Sequence, residues 1–543
     1  MDFPIARTLP GLLGEMHQRY GSRNFITDHR RRVSYAEFES EVRAVAKGLY
    51  ALGVRKGDRV AILMGNQAEW LVVDFAVTLL GAVLVAVNTW WKQIELQHAL
   101  ASTDTSVLVM VESYLGNDYT QAIDAIGGCS TTLPRLKHIV GWGETLPRGA
   151  LPWSELIRMG GDVADVELDR AQALVAPSDT AYLLFTSGST ARSKAVRLTH
   201  RGNIENGHAI GERMHLTEHD RMLIPTSMFW SFSCVNALFA VMTHGGSLVL
   251  LFKYDTAEML RLIEAQRCTG AYTLPNIVLA LHAHPDRAMR DLSTWRTGIC
   301  RCNMIERMAD MGVHEMITGY GLTECYGHSV QTDAWDPIET KIRNVGRPLP
   351  NVELKIIDPA TRCVLPPGTP GEICLRGHVT PGYYNDPERT REAINEEGWF
   401  HTGDVGVIDE DGSLLFKGRF KELIKTGGIN VSPADVEDVL LAHPGVQQAV
   451  VVGIPDATRE EIVAAMVVPR PGAALNPDDL IAHCRRTAAA FKVPRFIQVI
   501  EAYEIPLTDT GKIHKVRATE LLARRYAVRS EEGPLGTSPQ EKQ

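Results

Sequence analysis

Cysteine is scarce in this chain, with nine in 543 residues. None forms a Cys-x-x-Cys pair, and the two closest are Cys300 and Cys302. A set this sparse excludes a disulfide scaffold and predicts buried, reduced thiols. A basic excess is also lacking, because 56 Lys and Arg face 65 Asp and Glu, which gives a net charge of −9. This balance argues against a general nucleic-acid binder, although it allows a small basic pocket for phosphates.

Long hydrophobic runs are missing as well. The longest run, residues 75–87, is too short to span a bilayer and contains Gly81. The first twenty residues carry an early acidic residue and no long apolar core, so we expect no signal peptide. We therefore predict a cytoplasmic protein with neither a membrane nor a nucleic acid as partner.

Helix and strand patterns alternate along the first part of the chain. Ser34 and Glu37 form a capping box, and apolar residues at helical spacing follow it as far as Gly53. Short apolar runs predict buried strands at 60–64, 82–87, 107–111, 181–185 and 247–251. Strands separated by helices are typical of βαβ units. The sequence thus predicts an α/β fold: a large N-terminal domain of several subdomains with mainly parallel sheets.

The pattern changes beyond about residue 345, where short β-like runs alternate with Gly and Pro turns and predict a small β-rich subdomain. After Gly418 an α+β pattern begins, and Ser432 caps a helix that has Pro433 in its first turn. We predict three parts: a large N-terminal domain at 1–418, a small α+β C-terminal domain at 419–527, and a disordered tail at 528–543.

A loop rich in hydroxyl groups gives the first chemical signal. A buried strand ends in Thr186-Ser-Gly-Ser-Thr190, and Lys194 follows it. Hydroxyls, backbone N–H groups and an amine are the groups that bind a polyphosphate. The spacing is not that of a Walker A loop, because Ser193 precedes Lys194 where that motif has glycine.

Four further blocks follow in order: Thr318-Gly-Tyr-Gly-Leu-Thr-Glu324, Trp399-Phe-His-Thr-Gly-Asp404, Lys417-Gly-Arg-Phe-Lys-Glu-Leu-Ile-Lys-Thr-Gly-Gly428 and Pro506-Leu-Thr-Asp-Thr-Gly-Lys512. With the hydroxyl-rich loop, they make the chain resemble the adenylate-forming superfamily, in its acyl-CoA synthetase branch, from about residue 9 to residue 524. The resemblance implies an acid–thiol ligase that uses ATP or an acyl-AMP, Mg²⁺ and coenzyme A. It also implies that residues 1–418 are the adenylate- and acyl-binding domain and that residues 419–527 are a small mobile lid domain. A carboxylate attacks the α-phosphate of ATP to give an acyl-adenylate, and a thiol then displaces AMP.

The resemblance also assigns roles to single residues. Lys512 would bridge the two anions that react, the carboxylate and the α-phosphate. Thr323 would donate to that phosphate, Glu324 would hold Mg²⁺, and Lys421 would be the hinge. Tyr320 would stack on adenine, with a packed aromatic as the competing interpretation, and Asp404 and Arg419 would hold the ribose. The implied cofactor-binding residues are Thr186, Ser187, Gly188, Ser189, Thr190, Lys194, Tyr320, Gly321, Asp404, Arg419, Gly427 and Gly428.

Two segments depart from the family pattern. The phosphate loop has Ala191, Ser193 and Ala195 at positions where the family has Gly, Pro and Gly, and an alanine held at positive φ costs about 1–2 kcal/mol. The family's Gly-Gly-Ala-Pro turn is replaced by residues 301–304, Arg-Cys-Asn-Met. Because both departures concern the first half-reaction, one hypothesis is that adenylation is impaired. The enzyme would then mainly convert an acyl-AMP made by a separate adenylating enzyme into the thioester.

The acid would bind among bulky, largely apolar side chains, which favours a hydrophobic carboxylic acid. The residues assigned to this substrate pocket are Met228, Phe229, Trp230, Cys234, Arg301, Cys302, Asn303, Met304 and His328. The alternative is a structural role, in which some of these residues simply line the hydrophobic core. Three other functions stay open: a conventional two-step ligase, a ligase that loads a carrier protein, and a non-catalytic protein that binds an adenylate or acyl-CoA. The sequence is compatible with a homodimer and leaves the oligomeric state open.

Overall fold

The computed structural model describes residues 3–128, 132–186, 194–426, 429–456, 458–508 and 512–531, without the side chains of 421, 429, 430 and 529–531. The α-helices are α1 Leu9–Tyr20, α2 Tyr35–Ala51, α3 Ala68–Leu79, α4 Gln93–Ser102, α5 Tyr119–Ile126, α6 Trp153–Gly160, α7 Asp165–Ala173, α8 His200–Arg213, α9 Leu238–Met242, α10 Thr256–Ala265, α11 Pro275–Ala283, α12 Ile305–Asp310, α13 Ile338–Arg343, α14 Pro387–Ala393, α15 Pro433–Leu441, α16 Pro477–Thr487 and α17 Lys515–Glu531.

The strands are β1 Asn24–Thr27, β2 Arg32–Ser34, β3 Arg59–Leu63, β4 Val83–Ala86, β5 Val107–Val111, β6 Ser113–Tyr114, β7 Asn117–Asp118, β8 His138–Trp142, β9 Leu151–Pro152, β10 Thr180–Thr186, β11 Lys194–Thr199, β12 Arg221–Ile224, β13 Ser247–Leu250, β14 Gly270–Tyr272, β15 Thr297–Ile299, β16 Glu315–Ile317, β17 Gly319–Leu322, β18 Gly327–Gln331, β19 Arg347–Pro348, β20 Val352–Ile357, β21 Gly371–Gly377, β22 Phe400–Ile408, β23 Leu414–Arg419, β24 Ile424–Thr426, β25 Ile429–Val431, β26 Val446–Asp456, β27 Glu460–Pro469 and β28 Phe496–Val499.

Two seven-stranded sheets form the centre of the fold. One has the order β16-β15-β14-β12-β13-β1-β2 and the other β11-β10-β4-β3-β5-β8-β9. Every neighbouring pair within them is parallel except the edge pairs β1·β2 and β10·β11. Helices cover parallel strands because crossover connections place them on the sheet faces. This confirms the α/β fold with mainly parallel sheets.

Smaller sheets complete the chain. Strands β17-β18-β19 form one, and β20-β21-β22-β23 form the small β-rich subdomain that the sequence predicted. Near the C-terminus, β25-β24-β27-β26, with β28 beside β27, form a five-stranded sheet packed with α15, α16 and α17. Helix α17 continues to Glu531, so it extends four residues into the predicted tail, and residues 532–543 lie outside the described part.

Local signals set several element boundaries. The Ser34 hydroxyl accepts from the Glu37 N–H and the Glu37 carboxylate accepts from the Ser34 N–H, which confirms the capping box of α2. The Ser432 hydroxyl caps α15 in a similar way, by accepting from the Asp435 N–H. Each cap satisfies a backbone donor that the first turn of a helix leaves without a partner, so these helices begin where the sequence predicts.

The chain divides into two compact units. The first comprises residues 1–355, 374–401 and 409–415, and the second comprises 356–373, 402–408 and 416–543. The predicted boundary is a single division near Gly418, whereas two short segments of the β-rich subdomain also belong to the second unit.

Candidate active site

The predicted phosphate loop joins two antiparallel strands. Thr186 ends β10, Lys194 begins β11, and these two residues are paired in the ladder. The connecting residues 187–193 lie outside the described part, and they include the predicted binding residues Ser187, Gly188, Ser189 and Thr190. The Thr186 hydroxyl and the Lys194 amine therefore belong to the two ends of this loop. A hydroxyl and an amine at one place suit an anionic ligand.

The structure corrects one expectation about this loop. Ala195 lies inside β11, paired with Phe185, and its carbonyl oxygen accepts from the Tyr384 N–H at 2.8 Å. It is not among the residues with positive φ. The backbone strain expected for alanine at this position is therefore absent, because an extended strand conformation suits any residue with a Cβ. Ala191 and Ser193 lie outside the described residues.

Glu324 and Lys194 both contact one tyrosine. The Tyr383 hydroxyl donates to Glu324 Oε1 at 3.0 Å, and the Lys194 ammonium lies 5.0 Å from the centre of the Tyr383 ring. The second contact is within cation–π range. Burial, followed by the charge of Glu324, raises the pKa of Tyr383, so its hydroxyl stays a donor. A carboxylate and an ammonium are thus held around a shared aromatic ring.

Sequence reasoning missed Tyr383, which reaches this place through long-range backbone pairing. Residues 382–384 run along the free edge of β11: Val196 bridges Tyr383, and the Arg197 N–H donates to the Gly382 carbonyl oxygen at 3.1 Å. The Thr380 N–H also donates to the Glu324 carbonyl oxygen at 2.6 Å. The local sequence signal for Tyr383 was weak, because it consisted only of Gly382, two tyrosines and the helix cap Asp386.

Glu324 meets the requirements of the predicted magnesium ligand. It lies in a 3-10 turn after β17, is 9% exposed, and accepts the Tyr383 hydrogen bond through Oε1. Mg²⁺ takes oxygen ligands and is bound in proteins through one or two carboxylates together with phosphates and water. A single buried carboxylate that shares Tyr383 with the Lys194 ammonium fits that pattern, so Glu324 would hold the ion.

The neighbouring residues of this block have different surroundings. The Thr323 hydroxyl lies 3.0 Å from that of Ser231, which places the turn beside the segment of the predicted acyl pocket. Gly321 faces His328 across the β17·β18 ladder, where a Cβ atom would overlap the Gly327 carbonyl oxygen. Glycine is therefore needed there for close strand packing. Tyr320 is only 6% exposed, which favours the packed-aromatic interpretation over stacking on adenine.

Part of the predicted acyl pocket is an aromatic group. Phe229 and Trp230 both contact Trp90 edge-on, with ring centres 5.1 and 5.3 Å apart. Trp90 was missed by sequence reasoning, because it is separated from them by about 140 residues of sequence. Met228 and Cys234 are buried in the main hydrophobic core, at 1% and 0% exposure. For these two the core interpretation is favoured.

The other predicted pocket residues are dispersed. His328 lies 6.3 Å from the Phe232 ring, and burial lowers its pKa to about 4, so the imidazole is neutral at pH 7. The 301–304 segment forms a 3-10 turn over Cys302–Met304. Met304 packs into a separate core cluster, the Cys302 thiol donates to the Asn344 carbonyl oxygen at 3.3 Å, and Arg301 and Asn303 are exposed. These four side chains are therefore buried, half-buried or exposed at separate places, and they do not form one cluster together with Phe229.

The predicted ribose-binding pair forms an ion pair within the second unit. Asp404 of β22 and Arg419 of β23 are joined by Oδ1 and Nε at 3.0 Å. The Asp404 side chain is only 3% exposed, whereas that of Arg419 is 51% exposed. Arg419 supplies the countercharge for a buried carboxylate, which would be costly alone. An ionised carboxylate in this position can accept from both hydroxyls of a ribose.

The lysines of the second unit differ in their contacts. Lys417 and Lys492 both pair with Asp435, at 3.2 and 2.6 Å, so Lys417 has a structural role. The backbone of Lys421 lies in the 3-10 turn Phe420–Glu422, but its side chain is outside the described part, as are Gly427 and Gly428. Lys512 is exposed, and two hydrogen bonds with Thr508 tie its main chain, one of them to the Thr508 hydroxyl.

Comparison with known proteins defines the class. The AMP-binding enzyme family model matches residues 15–384, and the model of the AMP-binding enzyme C-terminal domain matches residues 435–512. The chain belongs to the AMP-binding enzyme family. A crystal structure of the anthranilate CoA ligase AuaEII in complex with anthranoyl-AMP is similar to it, with a TM-score of 0.85 and 26% identity over 97% of this chain and 99% of that one.

Curated relatives narrow the class to acid–thiol ligases. The chain is 34% identical to the acyl-CoA ligase SID4 of Ajellomyces capsulatus, over 89% of this chain and 85% of that protein. It is 31% identical to the mitochondrial medium-chain acyl-CoA ligase ACSF2 of Danio rerio, over 93% and 86%. The protein is an acid–thiol ligase of the acyl-CoA synthetase type, working through an adenylate. Within the described ranges, no helix combines the length and the apolarity needed to cross a membrane.

Proposed function

We propose that this chain is a complete two-step acyl-CoA ligase that acts on a hydrophobic carboxylic acid. In the first step a carboxylate oxygen attacks the α-phosphorus of ATP, the bond to the β-phosphate oxygen breaks, and pyrophosphate leaves. In the second step the sulfur of coenzyme A attacks the acyl carbon, the carbon–oxygen bond to AMP breaks, and the thiol proton passes to solvent. The products are the acyl thioester and AMP.

The observation that carries this proposal is the grouping of Glu324, Tyr383 and Lys194. The first half-reaction brings two anions together, so it needs fixed positive charge and a cation ligand. Lys194 supplies an ammonium beside the phosphate loop, and Glu324 supplies a carboxylate for Mg²⁺. Lys512 would neutralise the reacting oxygens. Asp404 and Arg419 would hold the ribose.

Two other observations favour full activity over impaired adenylation. One of the two alanines that suggested impairment, Ala195, is an ordinary strand residue. The replaced turn at 301–304 places Met304 in the core and leaves Arg301 and Asn303 at the surface. Neither observation gives a reason for ATP to bind in an unreactive position.

The acid is proposed to be apolar because Trp90, Phe229 and Trp230 contact one another ring to ring and offer aromatic surface close to Thr323. Aromatic walls favour apolar ligands through the area that they remove from water. The boundaries 1–418 and 419–527, the hinge role of Lys421 and the cytoplasmic location stay predictions.

Separate assays of the two half-reactions test this function. One tube contains the acid, ATP and Mg²⁺ with pyrophosphate release as readout, and a second contains the matching acyl-AMP and coenzyme A with thioester as readout. A medium-chain aliphatic acid, an aromatic acid and a short dicarboxylic acid are compared. We expect both reactions to proceed, with the dicarboxylic acid the poorest.

Each other outcome of these assays points to a different function. Activity in the second tube alone would mean that a separate enzyme adenylates the acid. A carrier-protein thiol preferred to coenzyme A would make the chain a loading ligase. Inactivity in both tubes would indicate a binding protein.

Replacing Ala195 by glycine tests the corrected view of the loop. Because Ala195 is extended and paired with Phe185, we expect the rate of pyrophosphate release to stay within about twofold of wild type. The free energy of unfolding should fall by about 1 kcal/mol, because glycine adds conformational entropy to the unfolded chain. Ala209→Gly in α8 is the matched control, with a similar loss of stability away from the loop. A tenfold gain in adenylation for Ala195→Gly alone would instead support impairment.

A further inference from the structure

Helix α8 and the segment that begins with α9 approach each other very closely. A Cβ atom on Gly207 would overlap Cβ of Phe239, and a Cβ atom on Gly211 would overlap the His244 ring. The two glycines are four residues apart, so they share one face of α8. Their small size lets the His244 ring rest directly against the helix.

This approach assembles three side chains that can ligate a metal ion. His208 and Glu212 are four residues apart on α8, and His244 faces them. Nε2 of His244 lies 2.9 Å from Glu212 Oε1, and Nε2 of His208 lies 3.9 Å from the same oxygen. The two imidazole rings are nearly parallel, with centres 4.8 Å apart. One nitrogen or oxygen atom of each residue lies within 4.8 Å of the other two.

The hydrogen bonds around the rings fit metal ligands. Nδ1 of His244 lies 2.8 Å from the Ala240 carbonyl oxygen, which can only accept, so Nδ1 carries the proton. In the neutral ring, Nε2 then has a lone pair directed at a carboxylate that also only accepts. A cation between the two atoms, either a proton or a metal ion, removes that conflict. A carbonyl that orients the second ring nitrogen is the usual arrangement for metal-bound histidine.

His208 adds an independent observation. Its side chain is 8% exposed, and its Nδ1 is buried with no hydrogen-bond partner in the described part of the chain. Its Nε2 is directed toward Glu212 at a distance too long for a hydrogen bond. A buried imidazole nitrogen without a hydrogen bond is costly unless something else binds it.

We propose that His208, Glu212 and His244 form a binding site for Zn²⁺. Two imidazoles and one carboxylate are a zinc ligand set that leaves a fourth position open, and Glu212, whose side chain is 46% exposed, provides the route from solvent. The bound ion would join α8 to the end of the α9 segment. None of these three residues belongs to the set proposed for the ligase reaction, so the site stands apart from that function.

Zinc binding to the full chain tests the proposal. The purified protein is stripped with a chelator, dialysed against ZnCl₂, and its bound zinc counted by mass spectrometry. We expect wild type to retain one equivalent of zinc more than His244→Gln. The zinc affinity of this site should be about 100-fold higher in wild type, because losing even a residue that only orients a ligand lowers metal affinity by about 10–100-fold. His282→Gln is the matched control, since His282 also faces a carboxylate, that of Asp310 at 3.7 Å, but belongs to no three-residue set within the described residues.

Two further measurements keep the test decisive. His244 is fully buried, so its variant could fail to fold. Glu212→Gln changes a half-exposed side chain and is expected to fold and to lose the same zinc equivalent. X-ray absorption should show nitrogen and oxygen ligands at about 2.0–2.1 Å. Equal zinc retention in wild type and Glu212→Gln, no retained zinc in wild type, or a zinc coordination shell containing sulfur would each overturn the proposal.

Discussion

Replacing Lys512 by alanine is expected to slow acyl-adenylate formation by about 100-fold or more, the loss typical when one preorganised charge-stabilising group is removed. Thioester formation from a supplied acyl-AMP should stay within about twofold of wild type. The reason is that the first step alone brings a carboxylate and a phosphate together, whereas the second step has a neutral acyl carbon as its electrophile. Pyrophosphate release and thioester formation, measured separately on the same preparation, give the two rates.

Lys515→Ala is the matched control for this experiment. Lys515 lies in the same unit three residues further on, and its ammonium is paired with Glu422 at 3.1 Å and Glu437 at 3.8 Å. Its loss removes an equal charge and partly exposed ion pairs, which contribute little to stability. We expect both half-reactions to be nearly unchanged. A Lys512→Ala enzyme that lost both rates equally, or neither, would remove Lys512 from the adenylation step.

Several strands and helices could be predicted from sequence because their signals are local. The β10 run, the Ser34 capping box and the Ser432 cap each lie within a few residues of what they determine. The order of five motif blocks then singled out Glu324, Asp404 and Lys512, and their roles stay predictions. Asp404 and Arg419, assigned to one sugar from separate blocks, form an ion pair, and their role toward the ribose stays a prediction.

The rest depends on contacts that no local pattern encodes. Tyr383 joins Glu324 through a bridge to Val196, 187 positions earlier in the chain. Apolar side chains such as those of Cys234 and Met304 suit both a ligand pocket and the hydrophobic core. Residue type alone therefore could not show that these two lie in the core. The family's glycine at the position of Ala195 predicts strain there, and only the ladder with Phe185 reveals an extended backbone.

Replacing Glu324 by glutamine is expected to lower the rate of adenylation by about 100- to 1000-fold at moderate Mg²⁺ concentration, comparable to removing a principal electrostatic group. The amide keeps the shape of the side chain and an oxygen that can accept from Tyr383, so the surrounding fold should persist. What is lost is the negative charge that would hold the ion. Raising the Mg²⁺ concentration should therefore restore part of the rate, which a titration of pyrophosphate release against Mg²⁺ measures.

Tyr383→Phe separates this charge effect from a positioning effect. It removes the hydroxyl that donates to Glu324 while leaving both the carboxylate and the ring under Lys194. A lost hydrogen bond of this kind is expected to slow adenylation by about tenfold at most, or about 1.4 kcal/mol, with little change in the Mg²⁺ requirement. If Glu324→Gln matched Tyr383→Phe in both rate and Mg²⁺ dependence, Glu324 would act only by holding Tyr383, and the ion would need another ligand. A larger Mg²⁺ requirement in Glu324→Gln alone would place the charge of Glu324 at the metal.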